Sequence, residues 1–140
     1  MDFIYQDPYP ILKDDTHYKK ITSDYVKVEK LGEREIVTID PKGLELLSQV
    51  AMNDVSFMLR TTHLQKLNNI VNDPEATDND RFVAYNLLQN AVVAIEGELP
   101  SCQDTGTAIV MAKKGEDVYT GVDDGEWLSK GIFNTYQEKN

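Results

Sequence analysis

Cysteine is nearly absent: Cys102 is the only one in 140 residues. A lone thiol excludes an internal disulfide and cannot by itself make a thiolate metal site. Basic charge is also scarce. Fourteen lysines and arginines stand against 24 aspartates and glutamates, a net charge of −10, and the cations are scattered instead of gathered on a stripe. That field repels phosphate backbones and argues against nucleic-acid partners. It repels small anionic substrates too, so an anion site has to use locally placed donors or basic residues from another domain. No apolar run approaches the roughly 20 residues needed to cross a bilayer. Met1-Asp2-Phe3-Ile4 lacks the basic flank of a signal peptide, so the expected setting is the cytoplasm, with no membrane partner. The two histidines, His17 and His63, stand apart from any cysteine or carboxylate at metal spacing and read as surface or capping residues. No internal repeat, low-complexity tract or linker divides the chain.

What is present fits a globular protein. Hydrophobic residues make up 41% and charged residues 27%, proportions suited to one domain with a core. Residues 1–24, with Pro8 and Pro10 among aromatic and aliphatic neighbours, read as an extended arm packed on a surface. Val26, Val28, a turn at Gly32, then Ile36, Val37 and Ile39 predict a hairpin. Asp40-Pro41 opens a helix whose apolar stripe is Leu44, Leu47, Ala51, Val55 and Met58. Thr62 with Gln65 resembles a capping box for a second helix ended by Asp73-Pro74, and Thr77 with Asp80 marks a third. The third carries Phe82, Leu87, Leu88, Ala91 and Ile95 and stops at Gly97 and Pro100. Ala108-Ile109-Val110-Met111-Ala112 reads as a buried strand, Lys113 to Glu116 as its solvated turn, and Val118-Tyr119-Thr120 as the return strand. Trp127 to Tyr136 has a helical period weakened by Gly131. The pieces predict a single α+β domain over 1–140, several helices packed on a small, mainly antiparallel sheet.

The chemistry concentrates in Leu99-Pro100-Ser101-Cys102-Gln103-Asp104-Thr105-Gly106-Thr107, on the connection from the third helix into the expected strand. A thiolate holds a soft metal or attacks an electrophile, Gln103 donates to a carboxylate, Asp104 moves a proton, and Gly106 admits a ligand close to backbone N–H groups. Plainer readings stand beside these. A lone cysteine is often a small buried hydrophobe, Asp104 by its own residue type reads first as an Asx turn or helix cap, and Thr105 and Thr107 read as turn hydroxyls. Asp123-Asp124-Gly125-Glu126 lacks the spaced ligands and terminal glutamate of a calcium loop and reads as a cap for the last helix. Only an irregular loop lets Cys102, Gln103 and Asp104 face one cavity, because in a strand Gln103 would point away from the other two.

The sequence resembles the N-terminal region of the class I iron-sulfur fumarate hydratases. The likeness rests on Ser101 to Ile109, Lys113-Lys114-Gly115, Tyr119-Thr120-Gly121 and Gly131 to Tyr136. Upstream it includes Tyr5 to Pro10, Lys13 to Thr16, Ser56 to Arg60 and Asp73 to Ala76. The Cys-Gln-Asp-Thr-Gly core is similar also to the L-tartrate dehydratase alpha subunit, while the N-terminal arm favours fumarate. The resemblance implies a hydro-lyase that reversibly hydrates fumarate to (S)-malate, with a 4Fe-4S cluster whose open iron acts as the Lewis acid. It implies that Cys102 is the first of three cysteine ligands, the others lying beyond Asn140. It assigns Gln103 to substrate hydrogen bonding and Asp104 to substrate contact and proton transfer, with the principal base elsewhere. Family members are much longer and dimeric, so the 140 residues alone are expected to be inactive and to leave bare apolar surface that the remainder covers. The alternatives are a tartrate dehydratase-type hydro-lyase and a non-catalytic interaction module.

Overall fold

The computed structural model describes residues 3–7, 10, 17–101 and 107–139. Their element order is β1 (Val26–Leu31), β2 (Arg34–Ile39), α1 (Pro41–Phe57), α2 (Thr61–Asn72), α3 (Asp78–Ala94), β3 (Val118–Tyr119) and α4 (Asp124–Lys139). The class is α+β, as expected. β1 and β2 pair antiparallel with Val26 opposite Ile39 and Val28 opposite Val37, so β-branched side chains meet across the ladder. Gly32 takes φ +65 at the first of the two turn residues, the left-handed position a type II′ hairpin turn reserves for glycine.

The third strand departs from expectation. Instead of returning on residues 108–112, β3 pairs parallel with β2, Val37 opposite Val118 and Thr38 opposite Tyr119, in a sheet of order β1-β2-β3. Residues 108–112 form no strand, and Ile109 and Met111 are 74% and 73% exposed. A continuous apolar run becomes a buried strand only where both of its faces are covered. Here one side looks onto α1 across an open groove and the other has no cover.

Three of the four helix starts carry the side-chain cap their local sequence offers. Asp40 caps α1 by accepting from the Lys42 N–H at 2.9 Å, with Pro41 in the first turn. Thr77 and Asp80 complete a reciprocal capping box on α3. Thr62 does not cap α2: the helix begins one residue earlier, at Thr61, with Arg60 as the flanking residue and no side-chain cap. Asp123 Oδ1 accepts from the N–H groups of Gly125 and Glu126 at 2.8 and 3.3 Å, capping α4.

Packing is tightest between α1 and α4. A Cβ on Gly131 would lie 2.0 Å from Ser48 Oγ and 2.1 Å from the Glu45 carbonyl oxygen, so the helices cross where one has no side chain. The glycine that weakened the helical reading is what allows the crossing. Around it Thr135 Oγ1 donates to the Gln49 carbonyl at 3.0 Å, Asn134 Nδ2 to Glu45 Oε1 at 2.8 Å, and Lys130 pairs with Glu45 at 2.9 Å. The apolar core is thin. Leu44, Phe57, Leu67, Ala84 and Ala94 are buried, but no large side chain among the described residues is fully enclosed. Much of the predicted helical stripes is open: Leu47, Val55 and Met58 are about half exposed, and Phe82 and Ile95 are more so. Phe3, Ile4 and Tyr5 of the N-terminal segment are exposed instead of packed, and polar contacts hold that region, Asp7 with Lys113 at 2.8 Å and Lys19 with Asp54 at 3.3 Å.

Candidate functional site

The candidate loop leaves α3 through an exposed stretch, residues 95–100, in which Gly97 turns the chain with φ +83. Ser101 then goes under cover, at 4% exposure. Its N–H and its Oγ both donate to the Ser56 carbonyl, at 2.7 and 3.1 Å. Ser56 lies in the last turn of α1, where carbonyl groups have no partner within the helix, and its own hydroxyl donates to the Met52 carbonyl at 2.7 Å. Both serines stand in the stretches that carry the family resemblance, but the sequence assigned neither of them a role; the signal was the position of Ser101 directly before the thiol.

Cys102, Gln103 and Asp104 lie outside the described residues, with Thr105 and Gly106. Thr107 is exposed, and the residues that follow it run along α1. Residues 109–115 form one wall of an open groove of about 590 Å³ whose other walls are Leu44, Leu47 and Val55 of α1, Val118 of β3, and Leu128 and Ile132 of α4. At its rim Lys114 donates to Asp124 and to Thr120 Oγ1, and Thr120 Oγ1 donates to Asp124. The hydrogen bond from Lys114, then that from Thr120, holds the Asp124 carboxyl below the ordinary aspartate range. Lys113 and Lys114, expected as solvated turn residues, are therefore both ion-paired.

His63 lies on the first turn of α2, beside Arg60 and Lys66, in a separate cleft of about 490 Å³ between α2 and α3. Among the described residues no group of three or more histidine, cysteine, aspartate or glutamate side chains is placed to hold a metal ion, and no helix is long and apolar enough to cross a membrane.

Comparison with known proteins finds relatives along nearly the whole chain. The family model described as Fumarate hydratase (Fumerase) matches residues 46–140, the span from the middle of α1 through the candidate loop and α4. The chain is 51% identical over 138 residues to the anaerobic class I fumarate hydratase of Escherichia coli, covering 99% of this chain and 25% of that protein. It is 48% identical over 99% of its length to the aerobic class I enzyme of Salmonella typhimurium, covering 24% of it. The mitochondrial fumarate hydratase 1 of Leishmania major is 44% identical over 128 residues, 90% of this chain and 23% of that protein. The chain spans about a quarter of the length of the curated relatives it matches, and it belongs to the fumarate hydratase family.

Proposed function

We propose that this chain supplies one wall of the active site of a hydro-lyase that interconverts fumarate and (S)-malate. The observation that carries the reading is the 51% identity, over 99% of the chain, to a protein named as a class I fumarate hydratase. The reaction removes a proton from one carbon and hydroxide from its neighbour, so the site needs a base, an electrophile for the departing oxygen, and donors for two carboxylates. In this proposal the Cys102 thiolate is a ligand of the electrophilic centre, the Gln103 amide donates to a substrate carboxylate, and the Asp104 carboxylate contacts substrate and exchanges a proton with it.

An iron-sulfur cluster held by three thiolates would supply a Lewis acid for the oxygen. The donor set of this chain does not complete such a group: it has one cysteine, and the described residues contribute no alternative metal cluster. The remaining ligands therefore come from outside the 140 residues, as do the cations that offset a local net charge of −10 toward a dicarboxylate. The same reading makes the complete protein a cytoplasmic homodimer acting on a small dicarboxylate, without nucleic-acid or membrane partners; the acidic balance supports the exclusion of nucleic acid.

The test is an anaerobic assay of the full-length protein with fumarate, malate and tartrate. Cys102→Ser is expected to lose iron and activity together. Asp104→Asn is expected to keep its iron and lose about a hundredfold or more in kcat, the scale of one general acid–base group. Turnover of tartrate in preference to fumarate, or full activity of both variants, would refute the assignment.

A further inference from the structure

We propose that residues 108–112 receive a β-strand from the part of the polypeptide that lies outside these 140 residues. The run Ala108-Ile109-Val110-Met111-Ala112 contains no charge and no proline, and Ile109, Val110 and Met111 are each more than half exposed. Soluble proteins avoid consecutive apolar side chains in water unless something is to cover them. β1 shows the contrast. It is the outer strand of the sheet and exposed along its whole length, but Lys27, Glu29 and Lys30 interrupt its apolar residues, which suits an edge left in solvent. Nothing of that kind protects 108–112.

The backbone sets the kind of partner. Residues 108–112 belong to no helix or strand, and among the described residues no backbone hydrogen bond joins Ala108, Ile109, Val110 or Ala112 to another segment. Water satisfies these groups while the run is wet. Once the side chains are covered it no longer can, and buried N–H and C=O groups need partners. A covering helix would bury the side chains and leave that backbone unpaired; a strand covers and pairs at once, and β-branched Ile109 and Val110 suit a ladder. The C-terminal end of the segment is already held, Lys113 by Asp7 at 2.8 Å and Lys114 by Asp124, so less freedom is lost on docking. Length chooses the occupant. The chain covers 25% of a relative to which it is 51% identical along 99% of its own residues, and a protein of that length holds about three-quarters of its polypeptide outside this region. A strand on the same chain docks at an effective concentration that a second copy or a foreign protein does not reach. Only that length is taken from the comparisons; the thiol, the cluster and the reaction play no part.

The experiment is amide hydrogen exchange on the full-length wild-type protein, resolved to single residues. A strand along one edge bonds alternate amides, so either Ile109 or the pair Val110 and Ala112 is expected to exchange at least about a hundredfold slower than an unstructured amide. Exchange of all three at the unstructured rate overturns the proposal. The neighbour is then identified by replacing Ile109 with a photoreactive benzophenone residue in an equal mixture of isotope-labelled and unlabelled full-length protein. A crosslink within one chain to a peptide outside residues 1–140 is expected. A crosslink joining a labelled to an unlabelled chain assigns the strand to a second copy, one to a different protein assigns it to a foreign partner, and one that stays within residues 1–140 assigns it to this chain; each of the three overturns the proposed occupant. The exchange measurement needs no substitution, so it decides the proposal even if the benzophenone variant folds poorly.

Discussion

A methyl group added at Gly131 would meet the Glu45 carbonyl oxygen at 2.1 Å, a contact with backbone that no rotamer relieves. Gly131→Ala is therefore expected to force α1 and α4 apart and to cost about 3 kcal/mol or more, measured as a fall in denaturant midpoint. Recovery of wild-type stability would mean the helices do not cross there. Charge acts at the same scale around Asp124, whose carboxyl is held low first by Lys114 and then by Thr120. A depressed folded-state pKa contributes stability that is present above the unfolded value, near pH 4, and lost as pH falls through the lower folded value. Asp124→Asn is expected to flatten the acid-side fall of the unfolding midpoint below about pH 4 and leave the region between pH 6 and 8 parallel to wild type. Of these residues the sequence disclosed Asp124 as a helix-end acid, but not its lysine partner. Gly131 looked like a defect, because the requirement for it resides in the carbonyl of another helix 86 positions away.

The helix ends show where local chemistry is sufficient. Thr77 accepts from the Asp80 N–H, while Asp80 accepts from the Thr77 N–H at 3.0 Å and its hydroxyl at 2.6 Å, and these bonds hold the Asp80 carboxyl low. The same spacing at Thr62 and Gln65 forms no box; Gln65 donates instead to Asn69 at 2.9 Å. Thr77→Ala is accordingly expected to cost about 1 kcal/mol, and Thr62→Ala less than about 0.5 kcal/mol, in paired chemical denaturation. Equal costs would show that Thr62 does cap α2. All four helices and the hairpin were legible because their signals lie within a few residues: a proline at a first turn, a capping pair, a glycine between alternating strands. The parallel pairing of β3 was not, since it joins Val37 to Val118 and no short-range pattern reports an 81-residue separation. The stretch 108–112 was misread for the complementary reason. Its residues have strand propensity, but a ladder partner is a property of the surroundings.

At the scale of the molecule the governing fact is apolar surface without cover. Val28, Val92, Ile109, Met111 and Phe133 each expose more than half of their surface, as the proposed function expects of a chain whose remainder covers it. The isolated 140-residue chain is expected to enhance the fluorescence of a hydrophobic dye strongly and to take up no stoichiometric cluster under anaerobic iron and sulfide. The full-length protein is expected to do the reverse on both counts. A stoichiometric cluster in the isolated chain would contradict the ligand count. By itself the sequence determined the class of fold, the helix boundaries set by caps and the family, because these follow from the order of side chains and from short-range hydrogen bonding. The tertiary structure alone decided that α1 and α4 meet at a glycine, that β3 runs parallel to β2, and that Ser101 is bound to the end of α1. Each of those depends on which distant backbone groups come within a few ångströms, and steric fit and hydrogen bonding select that only once the chain has closed on itself.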